Sequence, residues 1–262
     1  MIPIFKIRCS AIGQIMTGNV GLSETQERKL KTFQDKMKSG KDLTALQQVE
    51  NDKLVHLENN PQLPAGVKTY CKTWLKEKLY MRRKDIKSKY IDKGNIFEDW
   101  SIKFLNAKLL TNYKKNEEFK QDDSMQGTCD INDTNKIIDI KNSFEFSTFP
   151  LFDTELKNKD YEWQLQGYMN LWGKDNAEVI YTLMDLPDFL IEREAKSLAY
   201  QKNCDIDEVY EEVKAYHTYD DVPTKLRYKR FEVKRDDKKI QQIKDRVELC
   251  QKYVNELMEG IA

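Results

Sequence analysis

The stretch Gly127-Thr-Cys-Asp130-Ile-Asn-Asp-Thr-Asn-Lys-Ile-Ile-Asp139-Ile-Lys141 constrains this chain more than any other. Its composition predicts strands over 128–132 and 136–142, joined by a tight turn at Asp133-Thr-Asn135. Side chains alternate along a strand, so Asp139 and Lys141 share one face. If the chain turns on Thr134-Asn135, Asp133 pairs with Lys136 and Asp130 lies directly opposite Asp139. Opposed residues have Cβ atoms about 4.5–5.5 Å apart. A slip of one residue would turn Asp139 away, so the pairing is a specific expectation.

Two carboxylates in that position need a reason. At roughly 4 Å, like charges repel by about 4 kcal/mol at an effective dielectric of 20, comparable to much of a domain's net stability. A divalent cation between them reverses the sign, and hard oxygen ligands suit Mg²⁺, with Mn²⁺ as the substitute. The candidate metal set is Asp130, Asp139 and the carbonyl of Ile140. Glu98, one turn into a buried helix expected to begin near Asn95, supplies a third carboxylate. Bound there, a metal would polarise a phosphate and acidify its water. Lys141 beside it would stabilise the hydroxide or the developing phosphorane charge. The bland alternative is a surface Asp–Lys pair worth about 0–1 kcal/mol. Against it stand Ile137, Ile138 and Ile140, which mark a buried strand, where bare charges are rare without function.

Composition narrows the remaining classes. The 262 residues are 39% apolar and 11% aromatic, enough for a sizeable core in one large domain. There are 44 basic and 44 acidic side chains, so any polyanion contact must come from charge segregated onto one surface. Only His56 and His217 exist, which nearly excludes chemistry built on histidine. Five scattered cysteines without a Cys-x-x-Cys pair argue for a reducing compartment and against zinc or iron–sulfur sites. No run approaches the roughly 18 consecutive apolar residues of a membrane span. The opening Met1-Ile-Pro-Ile-Phe-Lys-Ile-Arg8 turns polar too soon for a secretory signal. A cytoplasmic protein is expected, in a host cytoplasm if phage-encoded.

Along the chain, Ser23 is expected to open a helix reaching about Lys38, with Gly40 ending it. Residues 67–93 form a basic helical stretch carrying Lys68, Lys72, Lys76, Lys78, Arg82, Arg83, Lys84, Lys87, Lys89 and Lys93. That stretch reads equally as a solvated face or as a track for a DNA backbone. Gly94-Asn95 punctuates it, and a helix follows to about Leu110. A short strand at 118–120, a helix at 163–172 and a strand at 178–184 complete an α/β order. Asp205 caps a helix to about Tyr216, 226–233 alternates as a strand, and 236–258 is a long amphipathic helix.

At this point the sequence resembles the PD-(D/E)XK nuclease superfamily, most closely the branch of phage lambda exonuclease and the YqaJ-type viral recombinases. Lys93-Gly-Asn-Ile-Phe-Glu98 resembles the first motif, Gly127-Thr-Cys-Asp130 the glycine-x-x-aspartate motif, and Ile138-Asp139-Ile-Lys141 the defining aspartate-x-lysine. Trp163-Gln164-Leu-Gln-Gly-Tyr168 resembles the glutamine helix that follows. Arg8-Cys-Ser10-Ala-Ile-Gly and Phe231-Glu-Val-Lys-Arg235-Asp236 match the opening and closing segments more loosely.

The resemblance implies a restriction-endonuclease-like α/β fold, a mixed central sheet flanked by helices with further helices at both ends. One nuclease domain would span 1–262, with a helical N-terminal part at 1–90, a catalytic core at 91–185 and a mainly helical part at 186–262. The implied activity is Mg²⁺-dependent exonucleolysis of linear duplex DNA in phage-type recombination, with a structure-specific endonuclease or a non-catalytic DNA-binding scaffold as alternatives. Gln164 would position the water, Lys141 or the metal, and Tyr168 would stand near the scissile phosphate. Arg8 and Ser10 would approach the DNA end. DNA, a single-strand annealing protein and a homotrimeric ring are the implied partners and assembly. Residues 24–90 are longer and more charged than in compact relatives.

Overall fold

The structure, a computed structural model, describes residues 2–83 and 89–261, and of residues 89–96 the backbone alone. Its elements are β1 (Ile7–Arg8), α1 (Ile12–Met16), α2 (Glu24–Lys38), α3 (Ala45–Asn59), α4 (Ala65–Leu79), α5 (Lys89–Leu109), β2 (Lys120–Gln121), β3 (Met125–Gly127) and β4 (Ile131–Asn132). There follow β5 (Lys136–Ser143), α6 (Lys159–Trp172), β6 (Asn176–Leu183), α7 (Asp188–Lys202), α8 (Ile206–Tyr216), β7 (Tyr228–Lys234) and α9 (Asp237–Glu259).

The apolar runs of β5 and β6 make them the centre of a four-stranded sheet ordered β4-β5-β6-β7. β5 and β6 pair in parallel through the α6 crossover, and β4 and β7 pair antiparallel on either side. Buried residues on both faces explain why these central strands read as near-continuous apolar runs rather than strict alternation. Ile137 and Val179 pack with Leu165 and Met169 of α6 and with Ile243 and Val247 of α9. Ile138, Ile140 and Ile180 meet Ile102 and Leu105 of α5 on the opposite face. The expected α/β architecture, a mixed sheet between helices, is the one observed. Among the described residues no helix is long and apolar enough to cross a membrane.

A second sheet, β1-β3-β2, carries the N-terminus to the core: β1 runs parallel to β3, with Ile7 opposite Met125 and Arg8 opposite Gln126. Local signals set several boundaries as expected. Ser23 and Gln26 form the capping box that opens α2, and Asp236 caps α9 through the Lys238 and Lys239 amides. Gly173 closes α6 at φ 64°, a backbone state open to glycine at no steric cost.

Several boundaries differ, among them the start of α6, which lies at Lys159 rather than Trp163. The strand expected over 128–132 is shorter: only 131–132 pair with β5, while 125–127, just before the expected strand, form a separate strand in the other sheet. Which sheet a short extended segment joins depends on remote neighbours, which local alternation cannot distinguish. The helix expected from Asn95 begins at Lys89, so Gly94-Asn95 lies inside α5. One interior glycine costs only about 1 kcal/mol, within what a packed helix absorbs. The basic stretch is not one helix, because α4 ends at Leu79 and Met81 turns to φ 52°. Lys84 and Lys87 lie outside the described residues, as do the side chains of Lys89 and Lys93.

Candidate active site

Ile131 faces Ile138 and Asn132 faces Ile137, and the Asp133 amide donates to the Lys136 carbonyl at 3.0 Å. That is the expected register, and carried one residue further it sets Asp130 opposite Asp139. Asp130 sits just before β4. Its Oδ2 accepts from the Ile140 amide at 2.7 Å, and its carbonyl accepts from the Asn116 amide at 2.7 Å. Asp139, 1% exposed, is held from two sides. Lys141 Nζ lies 2.7 Å from its Oδ2, and Gln164 Nε2 donates to its Oδ1 at 2.8 Å.

Gln164 and Tyr168 are one turn apart on α6, so they present to the same face. Gln164 Oε1 accepts from Lys141 Nζ at 3.4 Å, and Nε2 also reaches the Tyr168 hydroxyl at 3.4 Å. Four of the residues singled out in the sequence, Asp139, Lys141, Gln164 and Tyr168, thus form one connected cluster with Asp130 beside it. Sequence reasoning missed Tyr161. Its ring lies under the Lys141 ammonium, 4.5 Å from centroid to nitrogen, and leans on Tyr181, which in turn meets Phe231. Its position three residues before Gln164, hence on the same helical face, was the available signal.

The electrostatics divide the labour. Burial first, then the Asp139 charge, holds the Asp130 carboxyl well above the usual carboxylate range, despite the hydrogen bond from Ile140. Burial pulls the Lys141 ammonium down, but Asp139 beside it and Asp130 outweigh this and keep it above its ordinary value. Burial, reinforced by Asp139, pushes the Tyr168 hydroxyl far up. Lys141 is therefore a fixed cation and Tyr168 a fixed neutral donor.

Glu98 is placed differently. Its carboxylate pairs with Lys115 at 3.3 Å, which also holds Asp99 at 3.3 Å. Its charge is nonetheless near enough to raise Asp130. Among the described residues no three carboxylate, thiol or imidazole groups converge as a complete cage for a metal. A hard cation that keeps its waters still fits, because Mg²⁺ commonly takes one or two carboxylates. Asp139 Oδ2 is buried and is met by the Lys141 ammonium at 2.7 Å, with a further lone pair open to a cation. Beside it, Asp130 carries the like-charge cost that a cation would remove.

Through Tyr168 the cluster borders a cleft of about 690 Å³, lined also by Thr128, Arg8, Ser10, Arg82 and Arg83. Arg8 and Ser10, both exposed, stand in it because β1 is stitched to β3 beside the active strands. Of the basic stretch, Lys78, Arg82 and Arg83 reach this cleft, while Lys68 lies over the Tyr253 ring. The balanced net charge is thus locally broken.

Neither a protein-family model nor a curated protein matches the chain. Solved structures do. A phage-related exonuclease from Haemophilus somnus 129PT superposes with a TM-score of 0.72 at 24% identity, over 99% of this chain and 98% of that one. The alkaline exonuclease LHK-Exo from Laribacter hongkongensis gives 0.59 at 12% identity, over 98% and 91%. The same exonuclease in complex with dAMP gives 0.57 over the same shares. Along nearly its whole length, the chain has the fold of these exonucleases.

Proposed function

We propose that this protein is a Mg²⁺-dependent exonuclease that hydrolyses phosphodiester bonds of linear duplex DNA. The observation that carries the reading is the like-charged pair Asp130–Asp139, with Lys141 locked to Asp139 and Gln164 joining them to Tyr168, which lines a cleft that also holds Arg8, Arg82 and Arg83. The fold shared with two exonucleases supports it.

Asp130, Asp139 and the Ile140 carbonyl would hold the metal, and Glu98 would join once released from Lys115. When bound, the metal supplies Lewis acidity toward phosphate and water. The protein's own groups do the rest. Lys141, kept protonated by Asp139, meets the charge that develops on the phosphate oxygens rather than acting as a base. Gln164 fixes both partners, donating to Asp139 and accepting from Lys141, so neither can rotate away. Tyr168, whose neutral hydroxyl lies beside Gln164 in a residue that borders the cleft, would donate to a phosphate oxygen and orient the scissile group. Arg8, Arg82 and Arg83 hold the flanking backbone without reading sequence.

The motif resemblance extends the proposal to resection of DNA ends in phage-type recombination, with a single-strand annealing protein as recipient, a homotrimeric ring as assembly and the cytoplasm as location. Five free cysteines suit a reducing compartment.

The test is digestion of end-labelled linear duplex beside closed circular duplex, with Mg²⁺ or EDTA, by the wild type and Lys141→Ala. Metal-dependent loss of the linear form alone is expected, slowed by about 10²–10³-fold in the variant, the usual loss for one charge-stabilising donor. A linear duplex untouched under every metal would sink the catalytic reading.

A further inference from the structure

Glu98, the carboxylate marked by the first motif, is already engaged by a cation from the chain itself. Lys115 Nζ lies 3.3 Å from Glu98 Oε1 and 3.3 Å from Asp99 Oδ1, so one ammonium bridges two consecutive carboxylates of α5. The loop that delivers it is anchored on both sides of Lys115. On one side, Asn106 of α5 accepts from the Tyr113 amide at 2.7 Å and donates to the Tyr113 carbonyl at 2.9 Å. On the other, the Asn116 amide donates to the Asp130 carbonyl at 2.7 Å, and the Asn116 side chain donates to the Cys129 carbonyl at 3.0 Å. Lys115 thus stands one residue from a clamp on the Asp130 segment and two from a clamp on the helix that bears Glu98.

The two carboxylates it bridges are not equivalent. Glu98 is close enough to the active pair that its charge, after burial and Asp139, adds to what raises the Asp130 carboxyl. Its side chain is 24% exposed, against 62% for Asp99, so Asp99 is the wetter end of the bridge. An ammonium shared in this way can give up Glu98 and still keep an ion pair. An exposed pair shifts an equilibrium by no more than about fivefold, so the exchange asks little of a divalent cation. Lysine suits it, being a compact charge on a flexible stem rather than a rigid fork.

Resting on the nuclease reading above, we propose that Lys115 is a displaceable counter-ion: it neutralises Glu98 until a divalent cation takes that carboxylate, then withdraws to Asp99. Before the metal arrives, it keeps a third negative charge from facing Asp130 and Asp139 unopposed. Because it competes with the metal for Glu98, it also sets the concentration at which the site loads. Lys115 touches neither phosphate nor water in this scheme. It is a positioning residue that acts through Glu98.

The test reads metal binding without DNA. Mn²⁺ is titrated into the full-length protein, and free Mn²⁺ is followed by electron paramagnetic resonance. Lys115→Met should bind Mn²⁺ about three- to fivefold tighter than the wild type, the scale of one exposed pair removed, and Lys115→Arg should bind like the wild type. Thermal scans separate this from a loop defect. In EDTA, Lys115→Met should melt about 1–3 °C lower, and at saturating Mn²⁺ the gap should close. An equal loss with and without metal would mark a merely structural contact and overturn the proposal, as would unchanged or weaker Mn²⁺ binding. Glu98→Gln closes the cycle: with the carboxylate gone, adding Lys115→Met should no longer tighten binding. A tightening that survives in full would show plain charge removal rather than exchange at Glu98, and would refute the switch. If the wild type binds no Mn²⁺, the metal-dependent nuclease reading fails and takes this one with it. A wild type that binds, beside an unchanged Lys115→Met, rejects the counter-ion and leaves the nuclease standing.

Discussion

At the scale of single residues, the site holds two carboxylates whose roles are set by their neighbours. Asp139 has a cation and an amide donor, whereas Asp130 has a backbone amide and a nearby negative charge. Without metal, Asp130 is therefore the costly one. Asp130→Asn keeps an oxygen for the Ile140 amide and removes the repulsion. In EDTA near pH 8 it should raise Tm by a few degrees, about 1–2 kcal/mol at roughly 2–4 °C each, while cleavage is lost. The pH dependence has a definite sign. A carboxyl raised in the folded chain retains a proton that the unfolded chain has released, so metal-free stability falls as pH rises above about 4. The Tm difference between variant and wild type should thus shrink on acidification, and thermal scans in EDTA across pH 4–8 check it. A difference that grows toward acid would contradict the assignment of the strain to Asp130.

At the scale of elements, the site depends on how closely α6 lies on α1 and the turn before it. Gly167 marks the contact. A Cβ there would come 2.4 Å from Ile12 Cδ1 and 3.0 Å from Cys9 Sγ, and both neighbours are fully buried. Gly167 lies between Gln164 and Tyr168, so the lost space would be found by displacing the very turn that orients Asp139 and Lys141. Gly167→Ala should cost about 1–3 kcal/mol through overpacking, read as a lower Tm. It should also lower kcat through Gln164 and Tyr168, and raise KM as far as Cys9 carries Arg8 and Ser10 with it. A fully active, equally stable Gly167→Ala protein would show that α6 has slack.

At the scale of the whole molecule, a chain with 44 basic and 44 acidic side chains must sort them to bind DNA. Arg8 arrives from β1, and Lys78, Arg82 and Arg83 from the end of α4 and beyond, so the basic lining is assembled from segments some seventy residues apart. Removing one phosphate-binding cation should reduce the slope of log K against log salt by about 0.9. The triple variant Arg8→Ala, Arg82→Ala, Arg83→Ala should therefore flatten that slope by about 3, measured by fluorescence anisotropy with the metal replaced by Ca²⁺. An unchanged slope would move the DNA path off this cleft.

What the sequence determined by itself was the local chemistry with one strong periodicity. The hairpin register followed from the turn and the alternation of 127–141, because a slip would have buried the wrong face. The shared face of Asp139 and Lys141 and the i, i+4 pair Gln164–Tyr168 obey spacings of two and four residues, and Asp130 opposite Asp139 follows from the hairpin register. Capping side chains such as Ser23 and Asp236 likewise act on their own amides. Only the tertiary structure decided the rest, for a common physical reason: the partners are remote in sequence, and no local spacing encodes them. The pairing of 125–127 with Ile7–Arg8, the hold of Lys115 on Glu98 and the meeting of Arg8 with Arg82 and Arg83 in one cleft each depend on segments brought together only when the core closes.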